Sequence, residues 1–586
     1  MIPPGGSSPV FRFGPFGADP RTRELRKGGV RVRLRDKSFQ VLIALLEHPG
    51  DVVTRDELRR RLWPQGVFVD FENSLNSTVN RLREVLGDST AKPRFIETVP
   101  RVGYRFVGPV EPQRPAQPTL AVLPFENLNH DAGQDFFADG VTDALITALG
   151  GVSTLRVISR QSVLHLRGTQ ETVPEIAREL KADVIVEGAL LQAGGRIRIT
   201  AQLVQARPER HLWAKGYECA AGDILTVQGE VAQAIAEAVQ VALAPTEKQR
   251  LSRPRPVNPE AYRAYLMGRH HMGQWSRQSF ERALDCFRDA LARDPAHAPA
   301  YAHMADCYAL LGYWGHLPFR EAYQQAKQAA LKALALDDTL SSAHWAFAWA
   351  TWVCDWNLAA CEAETLRAIQ LNPSDEHAHA VYSVFLITTS DNPARAVSEM
   401  KLALDLDPLS HYVNANMAWI YLFVRDYENA VAQALRTLDL FPGSLLALQG
   451  LGLAELCRSR YAEAAAALEK AAAISHDPFS TAYLGVAHAR RGDRDLAGSL
   501  LQQLLQRSQR EPVPPRCFVF LYASLGEQDR ALEWLENAYA ARDTGLFWLR
   551  VMPLYDPLRG TARFNEMLRR MGLSSPSDLT AIRSAP

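Results

Sequence analysis

Residues 71–88 read FENSLNSTVNRLREVLGD, and residues 95–108 read FIETVPRVGYRFVG. In the first stretch Phe71, Leu75, Val79, Leu82 and Leu86 recur at spacings of four and three, which places them on one face of a helix. Asn73, Ser77, Asn80, Arg81 and Glu84 fall on the opposite face, flanked by Ser74 and Thr78. Short amides and hydroxyls interspersed with Arg can read base edges and hold phosphates. Gly87 and Asp88 stop the helix. The second stretch holds two runs rich in β-branched and aromatic residues around Pro100, Arg101, Val102 and Gly103, which predicts a hairpin with Arg101 at its tip.

Working outward, FRFGPFGADPRTRELRKGG supplies opening strands and DKSFQVLIALLEHPGDVVTRDELRRRLWP supplies two helices before the one at 71–88. Residues 10–108 together resemble the winged helix-turn-helix effector domain of OmpR/PhoB-type regulators, and TVPRVGYRF resembles the wing of the CadC/ToxR branch. The resemblance implies a recognition helix whose Asn73, Ser74, Ser77, Thr78, Asn80 and Arg81 face the major groove or its phosphates. It also implies a wing that includes Thr98, Arg101 and Tyr104. Relatives often carry Arg where this chain has Asn73 and Asn80, which implies a different base preference. Trp63 and Phe68, in the loop before the helix, are expected as core or turn anchors, although that loop contacts RNA polymerase in some relatives.

The chain has 586 residues and a net charge of zero, with 65 Lys+Arg balancing 65 Asp+Glu. Residues 10–108 carry 19 Lys+Arg against 12 Asp+Glu, leaving 46 against 53 elsewhere, so the polyanion-binding potential sits at one end. Seven cysteines lack any CxxC pair, which suits reduced, buried thiols. The sequence MIPPGGSSPV has no charged n-region or apolar core, and no run of 18 apolar residues occurs. A cytoplasmic location without a membrane span is therefore expected, unlike the CadC/ToxR branch.

After a linker at 109–118, residues 119–245 alternate strand and helix signals: LAVLPF, DFFADGVTDALITALGG, RVIS, VPEIARELK, VIVEGALLQ, RIRITAQLVQ, HLWAKGYEC and ILTVQGEVAQAIAEAVQVAL. This order predicts a mixed α/β domain. LAVLPFENL, FFADGVTDALITAL, IARELKADVIVEGAL and GGRIRITAQLVQA resemble the TolB amino-terminal-like domain found in many bacterial regulators, including those built on cyclase domains. Asp139, Gly140, Asp143 and Glu187 are read as a helix cap and turn rather than a ligand site.

A second linker at 246–259 leads to a period. Pro295, Pro373, Pro408, Pro442 and Pro478 close helices, the last three steps being 35, 34 and 36 residues. That is the tetratricopeptide spacing, with about eight helix pairs expected over residues 260–545 and a cap and tail at 546–586. Ala283, Ala290, Ala368, Ala396, Ala403 and Ala430 occupy the close approaches between helices. Phe547 and Trp548 are expected to cover the last pair. His270, His271, His297 and His303 lack metal-ligand spacing and are read as exposed or capping residues. Trp345, Trp349, Trp352 and Trp356 lie at helical spacing and are read as core.

No GxxxxGK[ST], post-strand GxGxxG, HExxH or GxSxG motif occurs, so no catalytic residue, metal or cofactor is assigned and the chain is not expected to be an enzyme. The overall expectation is a multidomain α+β protein: winged helix, flexible at 1–9, then the α/β domain, then an all-α solenoid. Its expected partners are double-stranded DNA, a protein or peptide in the repeat groove, RNA polymerase by analogy, and a second copy on DNA. The competing reading is a tetratricopeptide interaction scaffold whose winged helix does not bind DNA.

Overall fold

The computed structural model describes residues 11–573 except 20–22, 28–29, 48–49, 63–70, 91–92, 101, 109–116, 130–134, 253–256, 274–275, 314–316 and 476. The chain divides into two compact units, one spanning Met1–Gln117 and the other Pro118–Ile582. No described helix is long and apolar enough to cross a membrane.

The first unit opens with four antiparallel strands, β1 (Phe11–Phe13), β2 (Phe16–Asp19), β3 (Glu24–Lys27) and β4 (Val30–Val32). Helices α1 (Asp36–Leu46), α2 (Arg55–Leu62) and α3 (Phe71–Leu86) follow, with β5 (Val52–Thr54) between the first two. Strands β6 (Ile96–Val99) and β7 (Gly103–Phe106) form the hairpin, and β7 also pairs with β5 in the order β5-β7-β6. Gly103 allows that pairing, because a Cβ there would lie 2.1 Å from the Val53 carbonyl oxygen. The core joins both sheets: Phe13 meets Phe106 edge-on at 5.1 Å and Phe95 at 5.5 Å. Leu75, Val79 and Leu82 of α3 pack into the same core with no exposed surface.

The second unit begins with a mixed sheet in the order β10-β8-β11-β12-β13, with β9 (Glu126–Asn127) also paired to β11. Here β8 is Thr119–Val122, β10 is Arg156–Val157, β11 is Val184–Ala193, β12 is Arg196–Ala206 and β13 is Glu209–Ala220. Strand alternation sends Leu120, Val122, Val184 and Val186 to one face, against α4 (Asp135–Gly150) and α7 (Ile224–Val239). Ala121, Leu123 and Ile185 point to the other, against α5 (Arg160–Leu164) and α6 (Val173–Glu179).

Helix α8 (Pro245–Ser252) leads into antiparallel helix pairs that run from α9 (Pro259–Met272) with α10 (Arg277–Arg293) to α23 (Pro515–Leu525) with α24 (Gln528–Ala540). There are eight such pairs among the described residues. The alanines singled out above, Ala283, Ala290, Ala368, Ala396, Ala403 and Ala430, are all fully buried, since only a methyl group fits where two helices approach this closely. Between the pairs, side-chain caps satisfy the free N–H groups of the next helix: Asp375 accepts from Ala378, Ser410 from Val413 and Ser444 from Ala447.

The tail departs from expectation. Phe547 packs on Trp352 at 4.8 Å and Trp349 at 5.6 Å, both on α13 (Ser341–Asp355), and Trp548 packs on Phe423 at 4.4 Å. Arg550, almost fully buried, donates to the Ser390 carbonyl and to Asp391. The segment thus crosses back to earlier pairs, in addition to meeting α23 through Tyr555 and Phe520 at 5.0 Å.

The sheet domain and the array form one body because the turns between helix pairs dock the sheet edge. The Val157 N–H donates to Ser374 Oγ at 3.1 Å, and the Ser159 N–H donates to the Leu406 carbonyl at 3.1 Å. Arg250 of α8 donates both to Leu371 O at 2.9 Å and to Gly151 O. Ser162 Oγ donates to buried Asp407 at 2.5 Å and accepts from the Leu409 N–H at 3.0 Å. Burial, with the nearby charge of Glu376, pushes the Asp407 carboxyl up to about 7 against the Ser162 hydrogen bond. A carboxyl whose folded pKa is raised opposes folding once it must ionise, so stability falls as pH rises from the ordinary carboxylate range to about 7. Asp407→Asn keeps the acceptor and removes the ionisation. It is expected to stabilise this unit by about 1–3 kcal/mol at pH 8 and by nothing near pH 4. Calorimetry at the two pH values checks this, and an equal shift at both would refute the ionisation account.

Candidate nucleic-acid interface

The described surface of α3 separates as its periodicity requires. Leu75, Val79, Leu82 and Leu86 are buried, whereas Asn76, Ser77, Asn80, Arg81 and Glu84 are exposed and Ser74 is half-buried. Ser77, Asn80 and Arg81 therefore share one outward face, as expected. The side chains of Phe71 and Asn73 lie outside the described residues, as do Arg101, Trp63 and Phe68.

Three of the expected contact residues are placed differently. Thr78 is 8% exposed, and its Oγ1 donates to the Ser74 carbonyl at 2.7 Å within the helix. Its own carbonyl accepts from Ser38 Oγ at 3.2 Å, which fixes α1 against α3. Thr98 Oγ1 accepts from Arg83 Nη2 at 2.8 Å. Tyr104 is 2% exposed and its hydroxyl donates to Asn76 Oδ1 at 2.7 Å. Thr98 and Tyr104 are cross-strand partners, so the docking of the hairpin on α3 turns both toward the helix. These three position the helix and wing rather than present groups outward.

Residues that the sequence reading passed over do the positioning. Arg83, 5% exposed, reaches back from α3 to donate to Ile96 O at 2.9 Å as well as to Thr98. Asp88 accepts from four backbone N–H groups, those of Ser89, Arg94, Phe95 and Ile96, and so ties the end of α3 to the start of β6. Arg55 Nη2 lies 3.3 Å from Asn76 Oδ1 and its guanidinium sits over the Tyr104 ring at 5.4 Å. With Oδ1 taken by Tyr104 and Arg55, the Asn76 amide presents its NH2 outward as a donor. A polar residue one turn from Asn80 was the available signal for Asn76, but its tether to Tyr104 spans 28 residues.

On the neighbouring helix α2, Arg59, Arg60 and Arg61 are exposed in succession. Glu47 accepts two hydrogen bonds from Arg61, one at 2.8 Å, and this raises the already high guanidinium pKa. The exposed arginines of α2 thus form a basic row, whereas in α3 Arg81 and Arg83 are balanced by Glu72 and Glu84.

The other candidates resolve as structural. Asp139 pairs with Arg167 and Arg160, and Asp143 pairs with Arg269 at 3.0 Å, so both join sheet domain or array elements rather than holding a ligand alone. Gly140 lets α4 meet Leu266, which a Cβ would approach to 2.4 Å, and Glu187 accepts from Gln202 at 2.7 Å. His297 and His303 are buried rather than exposed, because both pack against Tyr265, at 4.8 and 5.8 Å. His297 caps as read from the sequence, its Nδ1 accepting from the Ala300 N–H at 3.3 Å at the start of the helix Ala298–Tyr313. Of the four tryptophans Trp352 is core, whereas Trp345 and Trp349 are half-buried beside a cavity.

Residues 29–106 match the family described as transcriptional regulatory protein, C terminal. Residues 116–233 match the HilA/YgeH-like transcriptional regulator, second domain, the stretch read above as TolB amino-terminal-like. A putative adenylate cyclase 3 of Rhizobium meliloti is 33% identical over 45% of this chain and 44% of its own length. The transcriptional regulator HilA of Salmonella typhimurium is 24% identical over 52% of this chain and 55% of its own. The chain thus spans about half the length of these curated relatives. The solved RstA DNA-binding domain of Klebsiella pneumoniae, in complex with the RstA box, is 35% identical over 16% of this chain and 94% of its own, with a TM-score of 0.15.

Proposed function

We propose that this chain is a DNA-binding transcription regulator in which the first unit recognises promoter DNA and the second senses a signal. The observation that carries the reading is the two-sided α3. Leu75, Val79 and Leu82 lock the helix into the core, and Asn76, Ser77, Asn80 and Arg81 stand exposed on the outer side. In this reading α3 enters the major groove. Asn80 suits adenine, Arg81 suits guanine, Asn76 with its oxygen engaged can offer only its NH2 to a base-edge acceptor, and Ser77 serves either a base or a phosphate. Asn73, Ser74 and Arg101 complete the proposed contact set, with Arg101 on the wing directed to the neighbouring minor groove or phosphates. The match of residues 29–106 to a transcriptional regulatory family supports the assignment.

The proposal extends to dimeric binding on repeated half-sites, contact with RNA polymerase, a cytoplasmic location, and a protein or peptide partner on the repeats. The turns at 372–375 and 406–409 already hold the sheet domain, so that partner is assigned to the remaining repeat surface. No catalytic role is proposed.

The test is selection of a randomised duplex pool with residues 1–117, followed by affinity measurements at two salt concentrations. The expected result is an enriched motif whose log affinity falls with log salt at a slope of about −0.9 per phosphate neutralised. Absence of any enriched motif, with no binding near physiological salt, would favour the interaction-scaffold reading instead.

A further inference from the structure

A cavity of ≈470 Å³ lies within the second unit, between α4 and α5 of the sheet domain and the inner side of the helical array. This volume falls in the range of small-molecule sites, about 300–1,000 Å³. Its polar wall is a continuous row. Asp143 pairs with Arg269 at 3.0 Å, Arg269 meets His303 Nε2, and His303 Nδ1 lies 3.2 Å from Asp306 Oδ2. The row ends on Asp306 Oδ1, which is buried and has no hydrogen-bond partner. It is the only buried carboxylate oxygen in that condition among the described residues. At the other end stands Arg160, which lines the same cavity; its Nη2 lies 3.6 Å from Asp139, and its buried Nε lacks a partner.

Beside this row the lining is aromatic. The rings of Trp345, His377 and Tyr412 stack in succession with centroids 5.4 Å apart at each step and interplanar angles of 15° and 10°. Glu376 pairs with His377 at 2.9 Å, and Asp375 is engaged by Ser341 and the α15 (Glu376–Thr389) N-terminus. Burial lowers the His377 pKa, but the hydrogen bond and charge of Glu376 outweigh it and raise the group to about 9. The stacked imidazole is therefore a cation near neutral pH, held by Glu376 with the charges of Asp375 and Asp306 nearby. Ser159, Gln228 and Tyr262 bring neutral polar atoms without a partner to the lining, and the acid and the guanidinium with such an atom are Asp306 and Arg160.

Burial pushes the Asp306 carboxyl well above the ordinary carboxylate range, against the charges of His377 and Arg269, and a cation beside Oδ1 would draw it back toward the ionised form. The two groups thus call for partners of opposite sign. A purely anionic ligand would leave Asp306 unmet, and a purely cationic one would leave Arg160 unmet. Asp143, Arg269 and His303 intervene between them, so an α-amino acid, whose charged groups are adjacent, does not reach both. A peptide advances about 3.3–3.6 Å per residue and separates its termini accordingly. We propose that this cavity binds a di- or tripeptide with free termini and an apolar or aromatic side chain. Its ammonium group meets Asp306 Oδ1, its carboxylate meets Arg160, and its side chain lies against Trp345 and Trp349. The proposal deepens the sensing role assigned above, but it is tested by peptide binding alone, so its failure and the failure of DNA recognition are distinguishable.

The experiment is calorimetric titration of the full chain with Phe-Ala, Leu-Leu and Ala-Phe-Ala. Each is compared with its N-acetylated and C-amidated form, with free phenylalanine, and with an α,ω-diamine and a dicarboxylate. At least one free peptide is expected to bind saturably. Acetylation and Asp306→Asn should each weaken it by about tenfold or more, with little further loss in combination, because both remove one contact. Amidation and Arg160→Gln should behave likewise at the other terminus. The blocked peptides supply the same test on the unmodified protein if a variant fails to fold. Three results would overturn the proposal: no saturable binding up to roughly 10 mM, where affinity contributes only a few kcal/mol; indifference to blocking either terminus; or a diamine or dicarboxylate binding as tightly as the peptides.

Discussion

Replacing Arg83 by Ala is expected to lower the melting temperature of the winged-helix unit by roughly 10–20 °C. The guanidinium is 5% exposed and donates to Ile96 O at 2.9 Å and Thr98 Oγ1 at 2.8 Å, so it bolts the C-terminal half of α3 to the first strand of the wing. Hydrogen bonds from a charged donor contribute about 1.5–3 kcal/mol each, and truncation leaves two acceptors unmet in a closed site. A net loss of about 2–3 kcal/mol in a domain of this size converts to the stated shift, since ~1 kcal/mol moves the midpoint by about 4–8 °C. Lys would restore less than half, because one ammonium group cannot reproduce the planar fork that reaches both oxygens. Thermal denaturation of residues 1–117 followed by circular dichroism measures it. A shift of under about 3 °C, the size expected of an ordinary surface substitution, would mean that the wing is held by Asp88 and the aromatic core without Arg83.

Two positions earlier on the same helix the expected outcome is reversed. Arg81→Ala should leave the melting temperature unchanged, because the side chain is exposed and forms no ion pair with a described residue. It should instead weaken binding to the selected duplex by about 1–3 kcal/mol, roughly 5- to 150-fold, if the guanidinium meets a base edge. The discriminating measurement is affinity for selected and scrambled duplexes at two salt concentrations. A base contact loses affinity for the selected sequence alone. A phosphate contact loses affinity for both and flattens the salt slope by about one. Unchanged affinity for both duplexes would remove Arg81 from the interface and leave α3 without its expected anchor. Residues two apart on a helix are turned about 200° from each other, so Arg83 is buried while Arg81 is exposed.

Much of this protein is readable from local pattern. The apolar spacing of Leu75, Val79, Leu82 and Leu86 names the buried face of α3, and the strand and helix signals of residues 119–245 correspond to the elements observed there. Pro373, Pro408 and Pro442 follow the last turn of successive helix pairs, because a proline cannot continue a helix, whereas Pro478, expected to close one, opens the helix Pro478–Arg491, where its missing N–H is not needed. The candidate interface was readable where it depends on helical phase, as at Ser77, Asn80 and Arg81. It was not readable at Thr78, Thr98 and Tyr104. Their residue types suit groove contacts, yet their hydrogen bonds run to Ser74, Arg83 and Asn76.

The sequence by itself determined the elements, their faces and the module order, because a period of 2.0 or 3.6 residues acts over a few neighbours and is written in the chain. Only the tertiary structure decided which polar groups turn inward and where the modules meet. Asn76 pairs with Tyr104 28 residues away, Ser162 with Asp407 245 residues away, and Val157 with Ser374 217 residues away. The same holds for the cavity: Asp143, Arg269 and Asp306 come from three helices, and each reads locally as an ordinary surface charge. A buried polar group must find a partner wherever the packed chain offers one. The choice is made by packing in three dimensions, so a linear pattern carries no record of it.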